Sequence, residues 1–598
     1  MDEMTLINIK KDNKDVITGS KLIIGYIGLF MMLSGIIVAI PLISLIYYYD
    51  CYYAWWYYLV PAILSISIGF LLYSLIRKKN VGKLLQSEAM FLTIFIWIIA
   101  ILINAIPFYI WGHMGGYNAI ETVTVGTIDG VKSFFYPITN MTYYYVEGGK
   151  DHAFYYFTQA IFESTSGFCS VGLTLLPTTK IFSGTYNYNF HLFSYQVAEG
   201  FTEFLPGTEI FQLHRALLTF VGGVGLVLIL TSALSDKSSF QIYLLEGHSD
   251  KLLPNLAKSA RSIFLIYVSL LGFSVVAYCC CGMTFFDSLC YSMAALSTGG
   301  FATHSSSMMF FELALGRSRA IAIETITIIM MFLGAVSFLL HHFFFHRNFK
   351  KTFLHYENLV FIIIIIIFLP MITVGFSTEF SSLTSLIPFD EGSYIYFTGY
   401  DSFRHAIFEF FSFITTTGFS SISSYKSNSM SPLAYSSFII LPILGGMGGS
   451  TAGGIKLFRI GDIYISLKES LLKKVRKQEV VHTNFVYKYG EKVPVSSSTL
   501  KTSVNYSLIY LFSLVFFTLI IVCFGYPLQD TFFEVSSSLA GLGETSGLTL
   551  IASTSHHWGV LWTLSFSMLL GRLEIVIALV MFIKIYQDVK VKRHRIKY

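Results

Sequence analysis

The chain has 598 residues, of which 54% are hydrophobic and only 13% are charged, and its formal net charge is +5. This composition is too apolar for a soluble protein of this length, and it places the chain among polytopic membrane proteins. The excess of positive charge is a topology signal and gives no reason to expect a nucleic-acid partner.

Apolar runs of about twenty residues, the length that crosses a bilayer, recur along the whole chain. We expect ten spans, at 22–47, 55–76, 91–111, 210–234, 262–282, 318–345, 358–376, 433–465, 505–525 and 558–586. Four shorter and less uniformly apolar segments are expected to be re-entrant half-helices, each ending in a loop: 157–172, 287–300, 404–418 and 530–543. Backbone that is not helical at membrane depth has to line a cavity.

Lysine and arginine collect on one side of these spans, which is typical of short cytoplasmic loops. Lysine and arginine residues lie before the first span and after the even-numbered spans, and the chain ends in a basic tail at 590–597. Both termini are therefore expected in the cytoplasm. The opposite loops, such as 112–152 and 177–205, are long, aromatic and weakly charged, and their acidic residues would concentrate cations at the pore mouth.

Each half-helix segment ends in four residues that are closed by glycine. Small and hydroxyl residues ending in glycine let the backbone turn its carbonyls toward one axis, and four such rings of oxygen can replace the water around a monovalent cation. The sequence therefore predicts a cation pore formed by one polypeptide. The four tetrads are Cys169-Ser170-Val171-Gly172, Ser297-Thr298-Gly299-Gly300, Thr415-Thr416-Thr417-Gly418 and Ala540-Gly541-Leu542-Gly543.

The last glycines of the tetrads are 128, 118 and 125 residues apart, which indicates a fourfold repeat of about 120 residues. We predict an all-α membrane fold with pseudo-fourfold helix–pore-loop–helix repeats around one pore. The expected divisions are a two-helix extension at 1–86, then repeats at 87–236, 237–352, 353–500 and 501–598. The second helix of each repeat carries glycine at 222–223, 334, 445–446 and 571, which allows close helix approach or a bend, or is ordinary small-residue packing.

The third repeat contains a glycine-rich run that is expected to break its last span. Six glycines fall within ten residues, and each costs nearly 1 kcal/mol relative to alanine inside a helix. The spacing of a nucleotide-binding P-loop is absent. We predict a flexible gate beneath the filter, formed by Gly445, Gly446, Gly448, Gly449, Ser450, Thr451, Gly453, Gly454 and Lys456.

Two charges, Arg572 and Glu574, lie in the middle of the last span. A charge at that depth costs about 2.5–3.5 kcal/mol, so Arg572 is expected to face the interior of the helix bundle. Two interpretations remain open. The guanidinium either contacts carbonyls of the gate and sets a barrier to cations, or it is a structural tie to Glu574 or to a loop carbonyl.

Three glutamates, Glu163, Glu409 and Glu534, stand nine residues before the last glycine of their tetrads, and Tyr291 takes this place in the second repeat. They either brace backbone N–H groups of the filter or mark helix ends near water, and we favour bracing. The half-helices would also direct their negative C-terminal ends toward the axis, which favours a cation there.

Two other residue sets are not expected to carry metal or catalytic chemistry. His341, His342 and His346 lie at the end of a span among phenylalanines, where interfacial anchoring is favoured over a metal site. The seven cysteines have neither metal-ligand spacing nor a plausible disulfide framework. An enzyme is disfavoured, because the polar residues repeat around glycines instead of clustering in loops at the membrane edge.

Four separated motifs resemble one known family, the TrkH branch of the Trk/Ktr/HKT potassium transporters. They are Gly-Ser-Thr-Ala-Gly-Gly-Ile-Lys at 449–456, Ser-Thr-Gly-Gly-Phe-Ala-Thr-His at 297–304, Thr-Thr-Thr-Gly-Phe at 415–419 and Leu-Leu-Gly-Arg-Leu-Glu at 569–574. The resemblance covers nearly the whole chain from about residue 90. It implies potassium uptake across the bacterial plasma (inner) membrane, a gating loop in the third repeat, a homodimer, and a cytoplasmic nucleotide-binding regulator of the TrkA/RCK type.

By the same resemblance, the filter glycines are Gly172, Gly300, Gly418 and Gly543, and K⁺ is the transported ion, with no cofactor in this chain. Glycine at all four positions resembles the potassium-selective members. The fourth tetrad departs from the family pattern, because Glu544 follows it where an apolar residue or proline is expected. A shifted register at 545–547 would break the nine-residue spacing and is ranked second. Sodium as the transported ion, or coupling of K⁺ to Na⁺ or H⁺, remains the alternative.

Overall fold

The computed structural model describes most of the chain between residues 16 and 573, and only isolated residues beyond it. The gaps within this range are 18, 47, 78–79, 82–85, 115–123, 129–130, 137–140, 146–153, 155, 177, 184, 188–193, 197–201, 205–207, 225–255, 378–396, 398, 423–429 and 476–483.

The N-terminal extension is a pair of helices, α1 (Ser20–Ala39) and α2 (Trp55–Ser74), joined by two 3₁₀ segments. The helices touch where Gly28 faces Gly69, because a Cβ on either glycine would lie within 3.0 Å of the other's carbonyl oxygen. Small residues of this kind let membrane helices approach closely. Strand β1 (Val16–Ile17), before the pair, lies parallel to β2 (Asn80–Val81), after it.

The first repeat contains the helices α3 (Gln86–Met114), α4 (Phe157–Phe168) and α5 (Glu209–Val224). Strands from the two loops on either side of α4, 112–152 and 177–205, form a five-stranded antiparallel sheet in the order β3-β4-β5-β6-β9, and β7 and β8 form a separate hairpin. The sequence predicted these two loops but no sheet in them. The strands are β3 (Thr124–Ile128), β4 (Val131–Tyr136), β5 (Met141–Tyr145), β6 (Thr178–Ser183), β7 (Thr185–Asn187), β8 (Ser194–Gln196) and β9 (Thr202–Phe204).

The second repeat has two helices where one span, 318–345, was predicted. Helix α9 ends at Ala335, and α10 begins at Phe338 after an extended residue, Val336, with φ −84° and ψ 143°. The prediction of a continuous span was wrong because peptides of the glycine-rich run replace intrahelical hydrogen bonds at this break. The helices of the repeat are α6 (Leu256–Cys280), α7 (Phe285–Leu296), α8 (Met309–Leu315), α9 (Arg317–Ala335) and α10 (Phe338–Phe345).

The third and fourth repeats follow the same order of long helix, half-helix and second helix. In the third repeat, the glycine-rich run separates α14 from α15, as the sequence predicted. The short helix α11 (Phe349–Phe353) precedes the third repeat, whose elements are α12 (Tyr356–Ser377), α13 (Tyr400–Ile414), α14 (Pro432–Leu444), α15 (Leu457–Val475) and a hairpin of β10 (Phe485–Lys488) and β11 (Glu491–Pro494). Those of the fourth are α16 (Ser497–Val522), α17 (Leu528–Ala540), α18 (Leu548–Thr554) and α19 (Trp558–Arg572).

Seven helical stretches within the described residues are long and apolar enough to cross a membrane. They are Ser20–Ile46, Cys51–Ser74, Glu88–His113, Ser262–Cys280, Arg317–Ala335, Tyr356–Ser377 and Ser497–Val522. The other predicted spans, 210–234, 433–465 and 558–586, contain the shorter helices α5, α14 and α19. Much of 210–234 and 558–586 lies outside the described residues. The predicted class, a helical integral membrane protein, is confirmed.

The four half-helices, α4, α7, α13 and α17, are buried along almost all of their length. Several of their polar side chains form hydrogen bonds inside the protein, as buried polar groups usually do. Ser164 Oγ donates to the Ile101 carbonyl at 2.8 Å, and the hydroxyls of Ser538 and Ser567 are 2.7 Å apart. The half-helices are therefore fixed from all sides, and their C-terminal ends hold the tetrads.

Candidate functional site

The four tetrads meet and form a closed ring. A Cβ added to Gly172 would lie 2.6 Å from the carbonyl oxygen of Gly299, in the next tetrad. A Cβ on any of the other three last glycines would overlap a carbonyl of the next tetrad. These pairs are Gly300 with Thr417, Gly418 with Leu542, and Gly543 with Val171. Each last glycine thus lies against the third residue of the next tetrad, and the fourth tetrad returns to the first. Only glycine fits at these four positions.

The tetrads also share one backbone conformation. The first position has a negative φ, between −76° and −84° in the first three tetrads. The second and fourth positions have positive φ in all four, and alternating signs rotate successive peptide planes so that their carbonyls can face one side. The second positions are Ser170 (53°), Thr298 (52°), Thr416 (53°) and Gly541 (78°), and the fourth are Gly172 (101°), Gly300 (62°), Gly418 (78°) and Gly543 (90°).

One hydrogen bond recurs at the same place in every repeat. The N–H of the third tetrad residue donates to the carbonyl five residues earlier, at the end of the half-helix. It closes the turn that carries the chain from the half-helix into the ring. The four bonds are Val171 to Ser166 (2.9 Å), Gly299 to Ala294 (2.8 Å), Thr417 to Ser412 (2.9 Å) and Leu542 to Ser537 (2.8 Å).

The three glutamates bind the segments that leave the ring. Glu163 accepts hydrogen bonds from the N–H of Leu175 (2.8 Å) and the hydroxyl of Thr174 (2.7 Å). Glu409 accepts from the N–H of Ser421 at 2.7 Å, and Glu534 accepts from the N–H of Ser546 at 3.0 Å. Each of these amides comes three residues after the last glycine of its tetrad. Because all three carboxylates are fully buried, they hold the outgoing segment to the half-helix.

In the second repeat, a residue that sequence reasoning missed provides the carboxylate. Asp287, four residues before Tyr291, accepts from the Thr303 hydroxyl at 2.6 Å and lies 3.5 Å from His304 Nε2. Thr303 also comes three residues after its tetrad glycine. Residues four apart share one face of a helix, so Asp287 reaches the same segment from one turn earlier. Tyr291 donates its hydroxyl to the Ser307 carbonyl at 3.2 Å.

Arg215 is a second residue that sequence reasoning missed. Its guanidinium is 1% exposed and lies 3.4 Å from Glu163 Oε1. It also donates to the Thr174 hydroxyl at 2.7 Å and to the Ala302 carbonyl at 3.3 Å, and it lies 4.7 Å from the ring centre of Phe301. This buried cation therefore connects the first repeat to the second just beyond the ring.

The glycine-rich run, called the gate loop below and comprising residues 445–456, is fixed to the broken helix of the second repeat. Met447 N–H donates to the Ala335 carbonyl at 3.1 Å, and Thr451 N–H donates to the Gly334 carbonyl at 3.3 Å. In return, Phe338 N–H donates to the Gly449 carbonyl at 3.0 Å. These bonds account for the break between α9 and α10.

The gate loop also touches the ring at the first and second tetrad positions. Thr451 accepts a hydrogen bond from the Thr298 hydroxyl at 3.1 Å, and Gly453 N–H donates to the Thr416 hydroxyl at 2.8 Å. A Cβ on Gly453 would overlap the carbonyl of Ala540. The loop therefore lies directly against three of the four tetrads.

Two charged side chains hold the gate loop: Glu357 on α12, and Lys456 at the end of the loop itself. Glu357 accepts from the Gly448 N–H at 2.8 Å. Lys456, with a φ of 81°, donates its ammonium to the Ala452 carbonyl. A Cβ on Gly445 would overlap the Gly453 carbonyl, so the two ends of the loop are in backbone contact. The loop is compact, and it has no room for larger side chains at these glycines.

Arg572 connects the gate loop to the first repeat. Its guanidinium donates to the Thr451 carbonyl at 3.0 Å, to the Gly223 carbonyl at 3.0 Å, and to the Gly222 carbonyl. The predicted contact with a loop carbonyl is thus present, whereas the bonds to α5 were not predicted. Glu574, the other predicted partner, lies outside the described residues.

The second-helix glycines allow these helices to touch the ends of the half-helices. A Cβ on Gly222, Gly334 or Gly571 would overlap a carbonyl or come within 2.5 Å of one. In each repeat that carbonyl belongs to the residue just before the tetrad, namely Phe168, Leu296 and Leu539. Of the two roles considered for these glycines, close approach between helices is the one that these three contacts show. In the third repeat, Gly445 and Gly446 instead approach Gly453 and Ala452 within the gate loop.

A cavity of about 510 Å³ lies on the other side of the ring and is called the vestibule below. All four last glycines line it, whereas the gate loop contacts the first and second tetrad positions. The ring therefore separates the vestibule from the gate loop. The vestibule wall also includes Arg215, His304, Glu544 and Thr545.

Among the described residues, no group of three or more His, Cys, Asp or Glu side chains is placed to hold a metal ion. His341 is buried and its Nε2 lies 2.7 Å from the Leu333 carbonyl. The rings of His342 and His346 contact each other, with centres 4.1 Å apart and planes tilted by 36°. The three histidines thus lie in different environments.

Comparison with known proteins gives consistent results. The family model described as TrkH, cation transport protein, matches residues 118–593. The Trk system potassium uptake protein TrkH of Halomonas elongata is 27% identical over 446 residues, covering 71% of this chain and 78% of that protein. The Trk system potassium uptake protein TrkG of Escherichia coli is 25% identical over 440 residues, covering 71% and 78%. The crystal structure of the potassium transporter TrkH from Vibrio parahaemolyticus superposes with a TM-score of 0.67 at 21% identity, covering 94% of this chain and 98% of that one, and thus shares the fold.

Proposed function

The chain belongs to the TrkH family of cation transport proteins, and from this premise we propose that it takes up potassium ions through the ring of four tetrads. The observation that carries the proposal is the closure of the ring. Four equivalent segments, each with positive φ at the same two positions, contact one another in turn around a common centre.

In this proposal, the tetrads form the selectivity filter. Backbone carbonyls of the tetrads replace the hydration shell of K⁺, as rings of peptide oxygens do in potassium channels. The four half-helices end at the ring, so the negative ends of their dipoles favour a cation at its centre. No side-chain charge of the filter itself is needed for this binding.

The buried carboxylates support the filter from behind. A carbonyl ring distinguishes ions only while its oxygens keep their positions and number. Glu163, Glu409 and Glu534 hold the backbone that leaves the ring, and hydrogen bonds to charged acceptors are roughly twice as strong as neutral ones. We infer that their role is to keep the filter carbonyls in place.

The gate loop closes the path on the side of the ring away from the vestibule. It bonds to the second tetrad positions and is held by Arg572, Glu357 and the broken helix α9–α10. Ion passage therefore requires the loop to leave Thr298, Thr416 and Ala540. Arg572, as the link between the loop and α5, sets the free energy of this movement.

We further propose that the protein lies in a bacterial inner membrane with both termini in the cytoplasm, so that the vestibule faces outward. The basic loops support this orientation. Several similar proteins are named as parts of a Trk system, which supports the proposal that this chain works with another protein. A homodimer and a cytoplasmic nucleotide-binding regulator are what the family resemblance implies.

The proposal is tested by growth of cells that lack potassium uptake, with and without this chain, at low external K⁺. We expect growth in sodium-free medium. Uptake of ⁸⁶Rb⁺ into proteoliposomes that contain the purified chain should accompany it. Rescue that depends on Na⁺ would favour the sodium-coupled alternative, and a chain that reaches the membrane without supporting growth or Rb⁺ uptake would contradict the proposal.

A further inference from the structure

The residue that follows each tetrad glycine lies at the mouth of the ring on the vestibule side. In three repeats this residue is apolar and buried or nearly so: Leu173, Phe301 and Phe419. In the fourth it is Glu544. The backbone here keeps the common register, because the Glu544 carbonyl accepts from the Ser537 hydroxyl at 2.6 Å as the Phe419 carbonyl accepts from Ser412 at 2.7 Å. A carboxylate thus replaces one of four apolar side chains.

The surroundings of Glu544 differ from those of the other pore carboxylates. Glu163 and Glu534 are saturated by hydroxyl and amide donors. Within the part of the chain that the structure describes, no lysine, arginine or histidine forms an ion pair with Glu544. Its side chain is partly buried, and burial and the nearby carboxylates Glu409 and Glu534 all oppose a negative charge on it unless a cation lies beside it. Arg215, a cation in the same wall, is directed to Glu163 and Thr174.

An ionised Glu544 therefore needs a cation beside it, and the vestibule that Glu544 lines has room for one. A carboxylate in a cavity with low-dielectric walls focuses its field and raises the local concentration of counter-ions, and the cation in this wall, Arg215, is already paired with Glu163. Carboxylate, carbonyl and hydroxyl oxygens are also the ligands that hard cations prefer. Hydroxyls of the vestibule wall, such as those of Thr545 and Ser306, lie in the same cavity.

We propose that the Glu544 carboxylate is an outer cation-binding site in the vestibule, which concentrates K⁺ in front of the filter and which Ca²⁺ occupies in competition. The inference rests on the proposed function and adds a site to it. The site belongs to one quarter of the ring only, since the equivalent positions of the other repeats carry no charge.

The test compares ⁸⁶Rb⁺ uptake by the wild-type chain and by Glu544→Gln, which removes the charge and keeps the shape. We expect the KM for Rb⁺ to rise about tenfold, with little change in the maximal rate. Tenfold is the low end of the range by which a focused field raises the local concentration of counter-ions. The difference should shrink when choline chloride raises the ionic strength, because salt screens the carboxylate. Ca²⁺ added on the vestibule side should inhibit wild-type uptake competitively and inhibit Glu544→Gln much less.

Asp401→Asn is the matched control. Asp401 pairs with Arg317 at the surface and does not line the vestibule, so its neutralisation should leave the KM unchanged. If both substitutions raised the KM equally, the change would be a general effect of surface charge, and the proposal of a site at Glu544 would be overturned.

The outcomes separate this inference from the proposed function. Saturable wild-type uptake with an unchanged KM in Glu544→Gln would overturn the Glu544 site alone. A wild-type chain without Rb⁺ uptake would instead contradict the proposed function. Because the Ca²⁺ test uses the unmodified chain, it does not depend on folding of the variant, and wild-type uptake that millimolar Ca²⁺ leaves unchanged would also count against the site.

Discussion

Replacement of Arg572 by alanine should open the gate. The guanidinium holds the gate loop through one hydrogen bond to the Thr451 carbonyl, and its other bonds fix it to Gly222 and Gly223 of the first repeat. Alanine removes this link without touching the tetrads. The loop would remain attached to the second repeat, but nothing would join it to α5 at this point.

The size of the effect follows from the bond that is lost. A hydrogen bond to a charged group contributes about 1.5–3 kcal/mol. A change of about 1.4 kcal/mol is tenfold in an equilibrium constant, so the ratio of open to closed gates should rise roughly 10- to 140-fold. If the gate is mostly closed in the wild-type chain, the rate of ⁸⁶Rb⁺ flux into proteoliposomes should rise by the same factor, up to the limit set by the filter.

Arg572→Lys distinguishes the two interpretations that the sequence leaves open. Lysine keeps the charge but cannot reproduce the fork of a guanidinium, which bonds to several carbonyls at once. If the charge itself is the barrier, flux through Arg572→Lys should stay near the wild-type value. If the hydrogen bonds hold the loop, flux should rise in both variants. Wild-type flux in well-folded Arg572→Ala, or failure of that variant to assemble, would refute the gating role and leave the structural one.

Three further predictions concern the filter and its supports. Gly418→Ala should abolish selective Rb⁺ uptake because its Cβ would overlap a filter carbonyl. Gly316→Ala, at φ 85° and ψ 158° but in open space, should cost only the strain of a backbone conformation that favours glycine, about 1–3 kcal/mol. Glu534→Gln should lower the Tm by several degrees and weaken the selectivity for K⁺ over Na⁺, because a neutral amide replaces a buried carboxylate that accepts several hydrogen bonds. The control Glu491→Gln, on an exposed hairpin, should change neither property. If Glu534→Gln had the same Tm as the wild-type chain, the bracing role would be contradicted. Thr451→Val should raise Rb⁺ flux several-fold by removing the hydroxyl that joins the gate loop to the ring, and unchanged flux would argue against that contact as part of the gate.

The repeated features of the site could be predicted from sequence because they recur at a fixed spacing. Glycine at the end of each tetrad, and glutamate nine residues before it in three of the four repeats, make the same contacts wherever they occur, so one physical requirement explains several positions. Asp287 escaped this reasoning because it is displaced by one helical turn from the expected place, although it reaches the equivalent segment. A search for carboxylates on the same helix face, four residues either way, would have found it.

Contacts between distant parts of the chain could not be predicted in this way. The bond from Arg572 to Gly223 joins residues 349 positions apart, and no local pattern marks its acceptor. The break between α9 and α10 lies in a continuous apolar run. It exists because the gate loop offers hydrogen-bond partners to Ala335 and Phe338, which only the packed structure provides.

The position of the gate loop has a consequence for the filter itself. The second tetrad position is left-handed in every repeat, and a left-handed conformation costs a non-glycine residue roughly 1–2 kcal/mol. The two β-branched residues there, Thr298 and Thr416, are those whose hydroxyls bond to the gate loop. In the other repeats, Ser170 bonds to the Thr219 carbonyl of α5, and the fourth tetrad has glycine, Gly541, for which the conformation carries no penalty. In the proposed mechanism, movement of the loop would remove bonds that offset backbone strain in two of the four tetrads, and the state of the gate would then be energetically linked to the shape of the filter.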